Sequence, residues 1–215
     1  MVVALPAARA DVLADPVGDF LPSYQGSHNG DMDVVSSFVN YNPSTDMFTF
    51  SGTMNGAIGT TTGGFYVWGV NTGTGTNNFS SLGLPDIKFN ATVVLRADGT
   101  GSAGGALPSG TVVIDANTIS ASFSGARLIS TGFDKTAYTW NLWPRTGEAG
   151  ITGNPAISDF APNASDMSVT AVPEPASLAL LGLGLGAIAL VRRRPLTARA
   201  QSAGRNIRGS RGSPR

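Results

Sequence analysis

The 215-residue sequence contains no cysteine, which excludes disulfides and thiolate metal sites and leaves the hydrophobic core as the source of stability. Histidine occurs once, as His28 in the polar loop Ser27-His28-Asn29-Gly30-Asp31. A Ser-His-Asp hydrolase would need it as the base, yet no G-x-S-x-G elbow accompanies it. Between Asp11 and Ala171 glutamate also occurs once, as Glu148, so a glycosidase-type carboxylate pair would have to come from aspartates. Several of these, Asp46, Asp98 and Asp115 among them, stand beside turn residues. The chain therefore reads as non-enzymatic. Charged residues make up only 13%, and the abundance of Gly, Ser, Thr and Asn favours strands joined by turns over helices.

What is present is alternation. From Asp86 to Arg96 the residues Ile87, Phe89, Ala91, Val93 and Leu95 share one face, and Lys88, Asn90, Thr92, Val94 and Arg96 the other. That strand ends at Asp98-Gly99, a hairpin turn signal. Ile119, Ala121 and Phe123 alternate with serines, and Tyr138, Trp140 and Leu142 alternate with Thr139, Asn141 and Trp143. Phe48 and Phe50 follow a turn over Asn42 to Asp46, and the run Phe65 to Val70, apolar on both faces, predicts a central, doubly covered strand. Residues 11–157 are thus expected to form an all-β domain, an antiparallel β-sandwich or jelly roll, with a barrel as second choice. The Pro/Asn/Ser/Asp-rich stretch 158–171 reads as a flexible tether, with Met167 to Val169 a candidate last edge strand.

Formal net charge is zero, but by cancellation. Asp11 to Ala171 carries thirteen acids against five bases (Lys88, Arg96, Arg127, Lys135, Arg145), a net of −8, while eight arginines and no acid follow Val191. An acidic outer domain and a basic cytoplasmic tail satisfy the positive-inside rule. Nucleic acid is not expected as a partner, because the arginines lie beyond an apolar run and lack interleaved aromatics.

That run is the most distinctive part of the chain. Val172-Pro173-Glu174-Pro175 is held extended by its prolines, Ala176 to Val191 is apolar, and Arg192-Arg193-Arg194 resists crossing a bilayer. The three parts, residues 172–194, resemble the PEP-CTERM sorting signal of bacterial exported proteins. The resemblance implies recognition by an exosortase, a membrane-embedded protease. It further implies a single C-terminal transmembrane helix as a transient or permanent anchor, and delivery of the domain to the envelope, cell surface or extracellular matrix. Val172, Pro173, Glu174 and Pro175 would be the sorting motif and Arg192, Arg193 and Arg194 the topological stop. The alternative is an ordinary membrane anchor, although sixteen residues span only roughly 24 Å, short of the ~30 Å hydrocarbon core. Residues 195–215 continue past the usual end of such a signal and read as a disordered basic tail. At the other end Ala8-Arg9-Ala10 has the small-x-small pattern of a signal-peptidase site at Ala8 and Ala10, so residues 1–10 read as the remnant of a secretory signal peptide.

Two functions from different classes follow. The first is a non-catalytic surface or extracellular-matrix protein of the biofilm or exopolysaccharide, with no cofactor. The second is a surface carbohydrate-binding module assisted by calcium. Its motives are Trp143, on the polar face of its strand and ahead of Pro144, as a stacking platform for extracellular polysaccharide, and the pair Asp31 and Asp33 as metal ligands.

Overall fold

The computed structural model describes residues 11–172. Its strands are β1 (Leu13–Ala14), β2 (Val34–Asn42), β3 (Met47–Met54), β4 (Phe65–Asn71), β5 (Ala91–Arg96) and β6 (Gly101–Ala103). They continue with β7 (Val112–Asp115), β8 (Thr118–Ser124), β9 (Thr139–Arg145), β10 (Met167–Ser168) and β11 (Thr170–Ala171). One sheet runs β1-β2-β3-β8-β7, and the other runs β10-β9-β4-β5-β6, all antiparallel. β11 adds to β2 in parallel. Helix among the described residues is confined to single 3-10 turns, as the composition requires.

Turn chemistry sets the registers. The Asn42 side chain accepts from the amides of Ser44 (2.9 Å) and Thr45 (3.3 Å), and Asp46 takes a left-handed φ of 51°, which closes β2 onto β3 with Asn42 opposite Met47. In the β5–β6 hairpin Asp98 accepts from the Thr100 amide (2.9 Å) and hydroxyl (2.7 Å), and Gly99 supplies φ 81°.

Alternation then fills the space between the sheets. Phe48 and Phe50 from β3, Ile119, Ala121 and Phe123 from β8, Tyr66, Trp68 and Val70 from β4, and Trp140 and Leu142 from β9 meet in one core. Phe50 stands edge-on to Trp68 (6.0 Å) and stacks on Phe123 (5.4 Å). A polar link crosses the core: the Ser37 hydroxyl donates to the Ser51 carbonyl (2.7 Å) and accepts from Trp68 Nε1 (3.2 Å), tying β2, β3 and the facing sheet together.

β4 is central and covered on both faces, as its doubly apolar sequence predicts. Its outer face lies under a second cluster: Val67, Phe79, Ile87, Trp143, Ile157 and Phe160, contributed by the loop between β4 and β5 and the segment after β9. The strand expected from Asp86 is shorter for the same reason. Regular pairing begins at Ala91; Ile87 turns into the second cluster while Val93 and Leu95 face the first.

The tether expected over 158–171 is instead part of the fold. Ser158, Asp159, Phe160 and Ala161 are buried, Ala161 bridges Leu142, β10 pairs with β9, and β11 pairs with β2. Composition misled here because side-chain and bridge hydrogen bonds, rather than a long ladder, satisfy this backbone: Asn141 Nδ2 alone donates to the carbonyls of Pro162 (2.6 Å) and Ser165 (2.8 Å).

Both ends of the described chain lie along β2. β1 pairs through Ser36 and Ser37, β11 through Asn40 and Tyr41, and the Val172 amide donates to the Tyr41 carbonyl at 2.9 Å. This exit end of the sandwich carries Tyr41, Phe48 and Tyr138. The opposite end carries the starts of β2 and β4, joined by Asp31 and Thr61. The membrane helix expected at 176–191 lies outside the described residues, as do Ala8, Ala10, Pro173 to Pro175, Arg192 to Arg194 and the tail 195–215. Among the described residues no helix is long and apolar enough to cross a membrane.

Candidate functional site

Four aspartates converge at the start of β2. Pairing of β1 with β2 extends to the Asp15 amide, which donates to the Val35 carbonyl (3.1 Å) and lays Asp15 beside that strand. The chain then turns at Gly18, whose φ of 83° suits glycine and aims its amide at both Asp33 carboxylate oxygens (3.0 Å each). Asp19 follows, one oxygen held by Asn163 Nδ2 at 2.6 Å. From the far end of the sequence Asp159 accepts from the amides of Val34 (3.0 Å) and Phe160 (2.7 Å).

Asp15, Asp19 and Asp159 each present an oxygen within 4.8 Å of the others. Two of these carboxylates are incompletely satisfied: Asp15 Oδ2 and Asp19 Oδ1 are buried without a hydrogen-bond partner. Crowding shows in the proton affinities. Burial, then the charges of Asp159 and Asp19, push Asp15 from 3.8 to about 8. Burial lifts Asp159 to about 7 against the opposing pull of the Val34 amide. At neutral pH the group relieves its repulsion either by holding a proton or by binding a cation. Three hard oxygen donors, completed by water, have the chemistry of a calcium site.

This set differs from the expected pair. The 3-10 turn Gly30–Met32 swings Asp31 toward the loop before β4, where it accepts from the Thr61 amide (2.7 Å) and hydroxyl (2.6 Å). Asp33 returns to extended backbone and is taken by Gly18 and by Asn55 Nδ2 (3.0 Å). Asp31 and Asp33 are therefore saturated by separate donors and form no common ligand pair. Asp15, Asp19 and Asp159 escaped sequence reading because 140 positions separate Asp19 from Asp159; the one local cue was Asp15-x-x-Gly18-Asp19.

Trp143 is not a platform either. It is 3% exposed and packs against Phe79 (5.0 Å), Phe89 (5.0 Å) and Phe160 (5.9 Å). Its indole lies across Gly69 of β4, where an added Cβ would meet ring atoms at 2.5 Å. His28 rests against Phe20 (4.5 Å) and Tyr24 (5.3 Å).

The remaining expected site begins where the structure's description ends. Among the described residues the last backbone hydrogen bond is that of Val172, and Pro173, which has no N–H to donate, follows it in the sequence. A sequence model of the PEP-CTERM protein-sorting motif matches residues 171–194. The chain carries a PEP-CTERM sorting motif. No curated protein matches the chain. The PEP-CTERM match contains Val172, Pro173, Glu174, Pro175 and Arg192 to Arg194, and it marks an exported protein processed by an exosortase, a membrane protein. Its first residue, Ala171, is the last residue of β11, so the PEP-CTERM motif abuts the sandwich with no spacer between them.

Proposed function

We propose that this is a non-catalytic structural protein of the cell surface or extracellular matrix, released from the membrane by cleavage at its PEP-CTERM motif. The observation that carries this reading is the direct junction of β11 with the motif: a self-contained β-sandwich is joined to a sorting signal and to nothing else within residues 11–194. Outside the Asp15, Asp19 and Asp159 cluster, the side chains that catalysis would call on have structural partners. His28 packs in an aromatic group, Glu148 accepts from the amide and hydroxyl of Ser27, and Asp31 clasps Thr61. The decisive experiment maps both termini of the native protein by mass spectrometry in envelope, matrix and medium fractions. A C-terminus near residues 172–175 in the matrix fraction supports the proposal; an intact tail confined to the membrane overturns it. Turnover of matrix polysaccharide by the purified protein would equally end the non-catalytic reading.

A calcium-assisted carbohydrate-binding module is the second reading. The buried Trp143 removes its original platform, while the Asp15, Asp19 and Asp159 cluster favours its calcium. Calorimetric titration of the chelator-treated protein with calcium tests that part: binding that disappears in Asp19→Asn supports it, and no heat in the wild type refutes it.

A further inference from the structure

At the end of the sandwich opposite Val172, one rank of the outer face of the second sheet reads Arg96, Phe65, Arg145. Phe65 of β4 pairs with Arg96 of β5 on one side and Arg145 of β9 on the other. Their guanidinium carbons stand 5.5 and 5.9 Å from the Phe65 ring centroid. Two interstrand spacings separate the arginines, so the two cations lie about 10 Å apart.

These cations are unusual in their setting. Residues 11–171 hold thirteen acids and five bases, yet the one ion pair among the described residues is Lys135 with Asp46. Arg96 and Arg145 have no carboxylate at ion-pair distance there. The nearby acids are already engaged: Asp98 by Thr100, and Glu148 by Ser27. Arg145 spends Nη2 on the Gly153 carbonyl (2.8 Å), and its buried Nε has no partner. A shallow cleft opens beside each arginine. One, of about 420 Å³, runs along Phe65, Arg145 and the loop 146–153. The other, of about 410 Å³, runs along Arg96, Ala97, Asp98 and the loop 59–64.

We propose that Arg96, Phe65 and Arg145 form a binding site for a carboxylate-bearing polysaccharide. Stacking on Phe65 holds both guanidinium groups in a fixed plane, which lowers the ordering cost of gripping an anion. Each offers the forked donors that match a carboxylate. A repeating acidic glycan presents carboxylates at regular intervals and can satisfy both arginines at once, with sugar hydroxyls meeting the threonines and exposed backbone of the clefts. Anionic lipid headgroups carry similar charge, but they present it as separate phosphates in a bilayer plane, whereas a cleft on each side of the rank suits a continuous chain, and the glycan is therefore the ligand. This site rests on the matrix reading above and gives it a substrate class.

The test is affinity measurement of the full chain in detergent-free phosphatidylcholine nanodiscs with chelator present, using polygalacturonate, neutral dextran and phosphatidylglycerol vesicles as probes. Binding to polygalacturonate but not dextran is expected, weakened roughly tenfold by Arg96→Gln or Arg145→Gln as one charge-assisted contact is lost. Phe65→Leu, which keeps bulk but removes the stacking surface, is expected to weaken it too, with melting curves checking that each variant folds. Polygalacturonate binding that is absent, or unchanged in the arginine variants, overturns the site, as does selective binding of the vesicles. In cells, wild-type protein in the matrix with the Arg96→Gln/Arg145→Gln double variant equally retained would refute this site alone; absence of the wild type from the matrix would refute the underlying reading.

Discussion

The carboxylate cluster makes folding stability fall as pH rises when divalent cations are removed. Asp15 and Asp159 have folded pKa values raised to about 8 and about 7 from 3.8. The folded protein thus binds more protons than the unfolded chain between roughly pH 4 and 8, and stability is lost across that window as pH increases. In a dry site the rise at Asp15 would cost about 6 kcal/mol. Asp15 is only half-buried, water screens it, and a proton shared with Asp159 relieves both groups, which leaves about 2 kcal/mol for the cluster. For a domain of this size that is a loss of about 4–8 °C in Tm between pH 5 and pH 8. The assay is circular-dichroism melting at both pH values, in chelator and in millimolar calcium, for wild type and Asp15→Asn. Chelated wild type should melt lower at pH 8, calcium should restore it, and Asp15→Asn should flatten the pH dependence. A chelated wild type equally stable at both pH values, or an Asp15→Asn variant with an undiminished slope, would refute the electrostatic argument.

Three further outcomes test the packing. Trp143→Ala, by emptying the second cluster, should cost about 3–5 kcal/mol in urea unfolding, and a loss below 1 kcal/mol would mean the indole is a surface group after all. Gly69→Ala forces a Cβ against that indole and should cost about 1–3 kcal/mol, most of it recovered in the Gly69→Ala/Trp143→Leu double variant by a mutant cycle. Ser37→Ala orphans Trp68 Nε1 in the core and should lower stability by about 1–3 kcal/mol; near-neutral unfolding would show that the link between the sheets is dispensable.

Local pattern carried the sequence reading as far as local pattern can reach. β8 and β4 were legible because burial of one face, or of both, writes itself directly into alternation. Trp143 was misplaced by that same rule: Thr139 and Asn141 mark its face as polar, yet Asn141 is fully buried and uses its amide to hold the segment that roofs the face. The presumed tether failed for the complementary reason, since Pro, Asn, Ser and Asp there serve as lids and hydrogen-bond partners for β9. Closure of the metal-site candidate depends on contacts such as that between Asp15 and Asp159, across 144 positions, and no short-range signal encodes them.

The shared use of β2 by both chain ends bears on the order of events during export. Its outer edge is sealed by β1 at Ser36 and Ser37 and by β11 at Asn40 and Tyr41, and an unsealed edge is a template for intermolecular strand pairing. Since the closing strand immediately precedes the sorting motif, β2 keeps an open edge at Asn40 and Tyr41 until residues adjoining that motif have paired with it. A cut after Val172 leaves that seal in place, whereas a cut before Thr170 removes it.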